Sequence, residues 1–92
     1  MDFENPELIE QLAALEHRQW AGWMKYMFSR GKMHVDGRFT IPADLVERWS
    51  RQLETNYKDL PENEKESDRV EARKVLKVLS KFDPLSPKTA GE

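Results

Sequence analysis

Charged residues interrupt two of the apolar stripes that helical spacing predicts in this sequence. Glu16 lies at the centre of the stripe on the first predicted helix, and Lys65 and Asp68 extend the stripe on the third. Burying an unpaired carboxylate costs on the order of several kcal/mol, so such a group is normally paired, protonated or open to water. These charged positions are therefore the first candidates for a functional site.

The sequence leaves three interpretations of these charges open. In the first, Glu16 forms a buried ion pair with Lys65 or Arg69 between helix 1 and helix 3. In the second, the charges line a cleft beside Trp20 or Trp23 and hold a small polar or nucleotide-like ligand by charge-assisted hydrogen bonds and stacking. In the third, these positions are simply more exposed than the pattern indicates. The predicted ligand-binding residues are Glu16, His17, Trp20, Trp23, Lys65, Asp68 and Arg69.

Catalytic and metal-binding patterns are weak. His17 and His34 are the only histidines, and no metal ligand lies three or four residues from His17. We interpret His17 as a partly buried, hydrogen-bonded side chain. None of the serines lies in a nucleophile elbow or a triad pattern. The sequence therefore predicts no enzyme, no metal site and no cofactor.

The charge balance predicts no nucleic-acid partner. The chain has 15 basic and 17 acidic residues, a formal net charge of −2, so it has no overall positive field. Arg48 and Arg51 flank Trp49 in a local basic stretch, which we interpret as the solvated face of an amphipathic helix. The alternative is a phosphate-contacting surface, whose binding would weaken steeply with salt.

The sequence predicts a cytoplasmic protein that does not span a membrane. It contains no cysteine, which excludes disulfides and thiolate chemistry and is typical of a reducing compartment. The acidic N-terminal residues are not a secretory signal, and no stretch has the eighteen or so apolar residues of a membrane span.

Capping and periodicity predict three helices. Helix 1 begins at Pro6 after an Asn5 cap and ends near Arg30. Helix 2 follows Pro42, with an apolar stripe through residues 45–57 and with Arg51 facing away from that stripe. Helix 3 begins around residues 59–62, with Asp59 as its cap, and ends near residue 82. The predicted divisions are an N-terminal arm (1–5), a helical domain (6–82) and a disordered tail (83–92).

A short hairpin is predicted between helix 1 and helix 2. A two-residue turn at Asp36 and Gly37 would place Met33 and Phe39 on opposite faces. A three-residue loop from Val35 to Gly37, with Gly37 left-handed in a bulge, pairs Met33 with Phe39 instead. We expect the bulged form because it gives one apolar face. The predicted fold is a mainly α, compact three-helix domain with this hairpin.

Two sequence segments resemble the signatures of a known family. Residues 12–20, LAALEHRQW, resemble the Leu-Ala-x-x-x-His-x-x-Trp signature of the ryanodine receptor repeat. Residues 57–69, YKDLPENEKESDR, resemble its second signature, an aromatic residue followed by Leu-Pro-Glu-x-Glu-Lys-x-x-Asp-Arg. The segment after helix 1 departs from the usual Gly-Trp and Tyr-Gly pattern and is similar to compact variants in phage and prophage proteins.

The resemblance implies a non-enzymatic interaction module. Because the receptor repeats pack in pairs, it also implies self-association into a homo-oligomer. Bacterial members have been proposed to sense nucleotide-derived ligands, so the alternative is a receptor with a ligand cleft between helix 1 and helix 3. Glu16 lies in one signature and Lys65, Asp68 and Arg69 lie in the other, which leads us to expect that the two segments meet at one interface.

Overall fold

The predicted order of elements is confirmed. A computed structural model describes residues 3–83, and it is mainly helical, with three helices and an antiparallel hairpin between the first two. The predicted tail, from residue 84 onward, and the first two residues of the arm lie outside this range. The elements are α1 (Pro6–Ser29), β1 (Lys32–Met33), β2 (Phe39–Thr40), α2 (Ala43–Glu54), a 3-10 turn (Tyr57–Asp59) and α3 (Glu62–Ser80).

The start of α1 is fixed by its cap. The Asn5 side chain accepts hydrogen bonds from the backbone N–H of Glu7 at 2.9 Å and of Leu8 at 3.4 Å. Pro6 occupies the first turn, where no N–H is needed. This part of the prediction is confirmed. The Asp59 cap predicted for α3 is wrong, because Asp59 lies in the 3-10 turn and α3 begins after Pro61 with no side-chain cap.

The hairpin takes the predicted bulged form. Met33 pairs with Phe39 across the two strands. The His34 N–H donates to the Arg38 carbonyl oxygen at 2.7 Å, which closes a loop of residues 35–37. Gly37 has a φ of 92°, a left-handed conformation that costs glycine little. The Phe39 ring packs edge-to-face on Phe28, with ring centroids 5.0 Å apart, and so holds the hairpin against the end of α1.

Gly31 allows the chain to turn from α1 into this hairpin. A Cβ atom at position 31 would overlap the Phe39 ring and the Thr40 carbonyl oxygen. Its φ is not positive, so close approach, and not a left-handed turn, is what requires glycine here.

The core lies at one end of the α1–α3 pair. Leu8 and Leu15 of α1 are buried against Val78 of α3, with partly buried Leu12, Val75, Leu79 and Phe82 around them. The helices run antiparallel, since residues 8–15 contact residues 75–82 and the later Gln19 meets the earlier Glu71. Leu45 of α2 is the remaining buried apolar side chain among residues 3–83.

The opposite end of the helices is open. Trp23 near the end of α1 is 51% exposed, and Leu53 near the end of α2 is 86% exposed. The predicted stripe of α2 is therefore only partly covered, with Leu45 buried and Trp49 half-buried. The three helices leave a groove between them, and this groove contains the residues described next.

Candidate functional site

A buried ion pair joins α2 to the first turn of α3. The Glu64 carboxylate is only 9% exposed, and its Oε2 atom accepts a hydrogen bond from Arg51 Nη2 at 2.7 Å. The hydrogen bond from Arg51 is the main reason that the pKa of Glu64 lies below its ordinary value, and Gln52 lowers that pKa further. Desolvation of the carboxylate acts in the opposite direction. Arg51 therefore faces α3, and the prediction that it faces away is wrong.

Sequence reasoning missed this pair. Glu64 precedes Glu71 by seven residues and Val78 by fourteen, which places all three on one side of α3. Its position on the same face as a buried valine was the sequence feature that indicated burial of Glu64. Nothing in the sequence indicated that Arg51 would be its partner, because that depends on how α2 lies across α3.

A second polar contact joins α1 to α3. Gln19 Nε2 donates to Glu71 Oε2 at 2.8 Å and to the Glu71 carbonyl oxygen at 3.1 Å. Lys74 Nζ lies 3.1 Å from the other Glu71 oxygen. The hydrogen bond from Lys74 lowers the pKa of Glu71 most, and the one from Gln19 lowers it further. Desolvation of the carboxylate raises that pKa. Gln19 is thus half-buried, and its side-chain amide is hydrogen-bonded across the contact between α1 and α3.

Glu16 is exposed, so the first of the three interpretations, a buried ion pair with Lys65 or Arg69, is wrong, and for Glu16 the third, an exposed position, is confirmed. The packed face of α1 is centred on Leu8, Leu15 and the Gln19 position, and Glu16 falls at its edge. The Gln19–Glu71 contact also fixes how α1 and α3 are aligned along their axes, with Gln19 beside Glu71. Glu16 is then level with about residue 74, roughly 7 Å along the axis from Arg69.

Lys65 and Arg69 make their ion pairs within α3. Arg69 Nη1 lies 3.1 Å from Glu62 and 3.8 Å from Glu66, and Lys65 Nζ lies 3.8 Å from Glu62. Lys65 also lies over the Tyr57 ring, 5.8 Å from its centroid. Hydrogen bonding to Glu62 is the main cause of the raised pKa of Arg69. These groups form a partly exposed ladder along α3 and do not meet Glu16.

His17 and Trp20 lie on the exposed side of α1. Their rings stack with centroids 5.9 Å apart, and both residues are exposed. The interpretation of His17 as a partly buried histidine is therefore wrong. The two sequence segments that resemble the family signatures do meet, because Arg18 and Gln19 of the first line the same groove as Glu64 and Asp68 of the second. The charged residues expected at that interface, Glu16, Lys65 and Arg69, lie outside the groove.

An open groove of about 1240 Å³ lies between the three helices. Of the predicted ligand-binding residues, Trp23 and Asp68 line it, and the following do not: Glu16, His17, Trp20, Lys65 and Arg69. One wall is aromatic, because Tyr26 of α1 lies against Trp49 of α2 with centroids 6.4 Å apart, and Trp23 meets Tyr26 edge-to-face at 6.5 Å. Leu53 of α2 extends this wall.

The opposite wall of the groove is the charged face of α3. Its acids come first along the helix, at Glu64, Asp68 and Glu71, and its bases come later, at Lys74, Lys77 and Lys81. Arg18 of α1 and Arg48 of α2 also line the groove. The site thus combines a broad apolar surface with a charged edge.

Within residues 3–83, no group of three or more histidine or acidic side chains is arranged to hold a metal ion. None of the described helices is both long and apolar enough to cross a membrane. The predictions that the chain is not an enzyme and is cytoplasmic stay predictions.

Comparison of this chain with protein-family models, with curated proteins and with solved structures finds no match. The resemblance to the ryanodine receptor repeat therefore stays a prediction, and the function has to be argued from the groove.

Proposed function

We propose that this chain is a non-enzymatic protein-interaction module that binds the apolar face of a partner helix in the groove between its helices. The observation that carries the proposal is the exposed apolar surface of Trp23, Tyr26 and Leu53 beside the half-buried Trp49. Contiguous apolar surface of this kind marks interaction sites on soluble domains. Aromatic side chains contribute much of the binding energy at such sites.

The size of the groove favours a macromolecular segment. Sites for small molecules usually enclose about 300–1,000 Å³ and bury most of the ligand. This groove is larger, about 1240 Å³, and open along its length. Its long wall is α3, which has 19 residues, so a partner helix of similar length could lie beside it. Binding of an amphipathic helix in a groove is a common mode of recognition.

A small nucleotide-like ligand is the second candidate. It is favoured by Trp23, an aromatic surface for stacking, in the same groove as the cationic Arg18 and Lys77. Most of the residues that the sequence suggested for such a ligand lie outside the groove, which is why we rank it second. A nucleotide panel tests it by thermal shift, since a ligand that binds only the folded chain raises Tm. No rise at millimolar nucleotide would exclude this candidate.

Position-specific photocrosslinking tests the interaction module directly. A benzophenone amino acid placed at Leu53 lies in the groove, and one placed at Val46 lies on an exposed part of α2 outside it. The full chain carrying either probe would be produced and irradiated in its native cells. We expect a discrete adduct from position 53 and none from position 46, with loss of the adduct when Trp23→Asp is added. Equal labelling from both positions, or none from either, would contradict the proposal.

A further inference from the structure

We propose that the partner segment is an acidic amphipathic helix, whose apolar face covers the aromatic wall and whose carboxylates lie beside Arg18, Lys77 and Lys81. The inference rests on the proposed function of the groove and specifies the chemistry of its occupant. It is carried by an excess of unpartnered positive charge along the groove of a chain whose overall net charge is negative.

Of the cations that line the groove, Lys74 is paired with Glu71, and the others form no ion pair within residues 3–83: Arg18, Arg48, Lys77 and Lys81. Arg18, Lys77 and Lys81 are exposed, line the groove and appear in none of the ion pairs of this part of the structure. Because α1 and α3 are antiparallel with Gln19 level with Glu71, Arg18 lies level with about residue 72, close to the start of the lysine run. Lys77 and Lys81 therefore lie toward one end of the groove, Arg18 lies nearer its middle, and Arg48 lies near Glu64 toward the other end.

Most of the acids in the groove are already neutralised. Glu64 is paired with Arg51, and Glu71 is held by Gln19 and Lys74. Asp68 remains, exposed and without an ion pair to another described residue. It precedes Lys77 by nine residues, which is about 13 Å along the helix, so it lies toward the opposite end. An occupant with its acids beside the lysines and a neutral or basic residue beside Asp68 would match this distribution.

The aromatic wall determines the second property of the occupant, its apolar face. Trp23, Tyr26 and Trp49 form one cluster of contacting rings toward the start of α3, because Trp23 is level with about residue 67. An occupant that covers this cluster and also reaches the lysines needs an apolar stripe, which a helix supplies at intervals of three and four residues. Nucleic acid also combines stacking surfaces with negative charge. The carboxylate of Asp68, which has no ion pair to another described residue, disfavours a continuous phosphate backbone in the groove, whereas a peptide can place its acids selectively.

Designed peptides test this charge preference. The probe is a labelled helical peptide of about 18 residues, with leucines on one face and glutamates flanking them, compared with versions carrying glutamine or lysine in place of glutamate. We expect the glutamate peptide to bind the full chain roughly tenfold more tightly than the glutamine peptide at low salt, because several partly exposed ion pairs contribute a few-fold each. The lysine peptide should bind most weakly, and added salt should reduce the preference.

Charge reversal identifies the cations responsible. Lys77→Glu/Lys81→Glu should remove the preference for the glutamate peptide and favour the lysine peptide. Lys32→Glu/Lys58→Glu is the matched control, because it changes the net charge equally at exposed lysines outside the groove. Equal loss of the preference in both variants would overturn the inference, because the overall net charge of the chain would then explain the preference without any role for Lys77 and Lys81. Circular dichroism would establish that both variants are folded.

The failure of this inference can be distinguished from failure of the proposed function. If the glutamate and glutamine peptides bind equally, and both need Trp23, the acidic partner is wrong while the interaction groove stands. If the crosslink from position 53 joins two copies of this chain, the occupant is a second copy and not an acidic helix. If a single-stranded oligonucleotide displaces the peptide and binds more tightly than it, the occupant is a nucleic acid, and the inference is again overturned. If no peptide binds and position 53 gives no adduct, both proposals fail.

Discussion

Arg51 on α2 and Glu64 on α3 form a 2.7 Å ion pair in which the carboxylate is nearly enclosed and the guanidinium is about half-exposed. Their bond fixes α2 against the first turn of α3 and so defines one end of the groove. Glu64 Oε1 accepts no hydrogen bond of good geometry from any described residue. The carboxylate therefore depends strongly on this one arginine.

Replacing Arg51 should destabilise the fold more than replacing its neighbour on the same helix. Arg51→Met leaves the enclosed Glu64 carboxylate without a charged partner, so Tm should fall. Arg48→Met is the control, because Arg48 is exposed, forms no ion pair with a described residue and, of the groups that lower the pKa of Glu64, contributes least. Thermal unfolding followed by circular dichroism at pH 7 measures both. Equal Tm values for the two variants would show that the pair contributes nothing.

The same ion pair should make stability depend on pH in the acid range. Because Arg51 lowers the pKa of Glu64 in the folded chain, Glu64 binds a proton more readily when unfolded. Its contribution is fully present above the unfolded pKa, about 4.3, and is lost as pH falls through the lower folded value. The difference in Tm between the native chain and Glu64→Gln should therefore shrink below pH 4. A difference that grows on acidification would have the wrong sign.

Gln19 should contribute more to stability than a comparable glutamine. Gln19→Ala removes the donor to the partly buried Glu71, and we expect a loss of about 1 kcal/mol in the free energy of unfolding. Gln11→Ala is the matched control, since Gln11 is also half-buried on α1 but makes no such hydrogen bond to a described residue. Chemical denaturation would measure both variants. A loss for Gln11→Ala as large as that for Gln19→Ala would contradict the assignment.

Alanine substitutions at two leucines should distinguish an effect on stability from an effect on binding. Leu15→Ala leaves a cavity in the α1–α3 core and should cost about 2–4 kcal/mol of stability. Leu53→Ala should change stability by less than about 0.5 kcal/mol, because that side chain is largely exposed. Since Leu53 lines the groove, its loss should instead weaken peptide binding. Urea denaturation and peptide titration, run on both variants, check the two halves of this expectation.

Two glycines should respond in opposite directions to the same substitution. Gly22→Ala adds a methyl group in mid-helix, where nothing lies within 4 Å, and should stabilise by about 0.5–1 kcal/mol. Gly31→Ala forces apart the Phe39 ring and the Thr40 backbone and should destabilise by about 1–3 kcal/mol. Denaturation midpoints give both values. A stabilised Gly31→Ala variant would mean that the hairpin moves aside without cost.

Local sequence signals predicted the elements well because their causes are local. The Asn5 cap, the proline after it and the left-handed Gly37 act over a few neighbouring residues, and each does what its pattern predicted. The Met33–Phe39 register followed from the loop length. These features need no knowledge of the tertiary structure.

The candidate site could not be predicted in the same way. A predicted stripe on α1 that includes Trp20 has Glu16 near its centre, because Trp20 lies four residues after Glu16. In the structure the packed face is narrower and Trp20 is outside it. The Arg51–Glu64 and Gln19–Glu71 contacts depend on how separate helices cross, and residue spacing within one helix carries no such information.

The core and the aromatic part of the groove lie at different ends of the same helices, so local opening should be easier at the aromatic end than at the core. Amide hydrogens near Leu15 and Val78 belong to a well-packed unit and should exchange slowly. Those near Trp23 and Leu53 have few buried neighbours and should exchange early. The part of the chain that faces a partner can therefore adjust its shape while the rest remains folded.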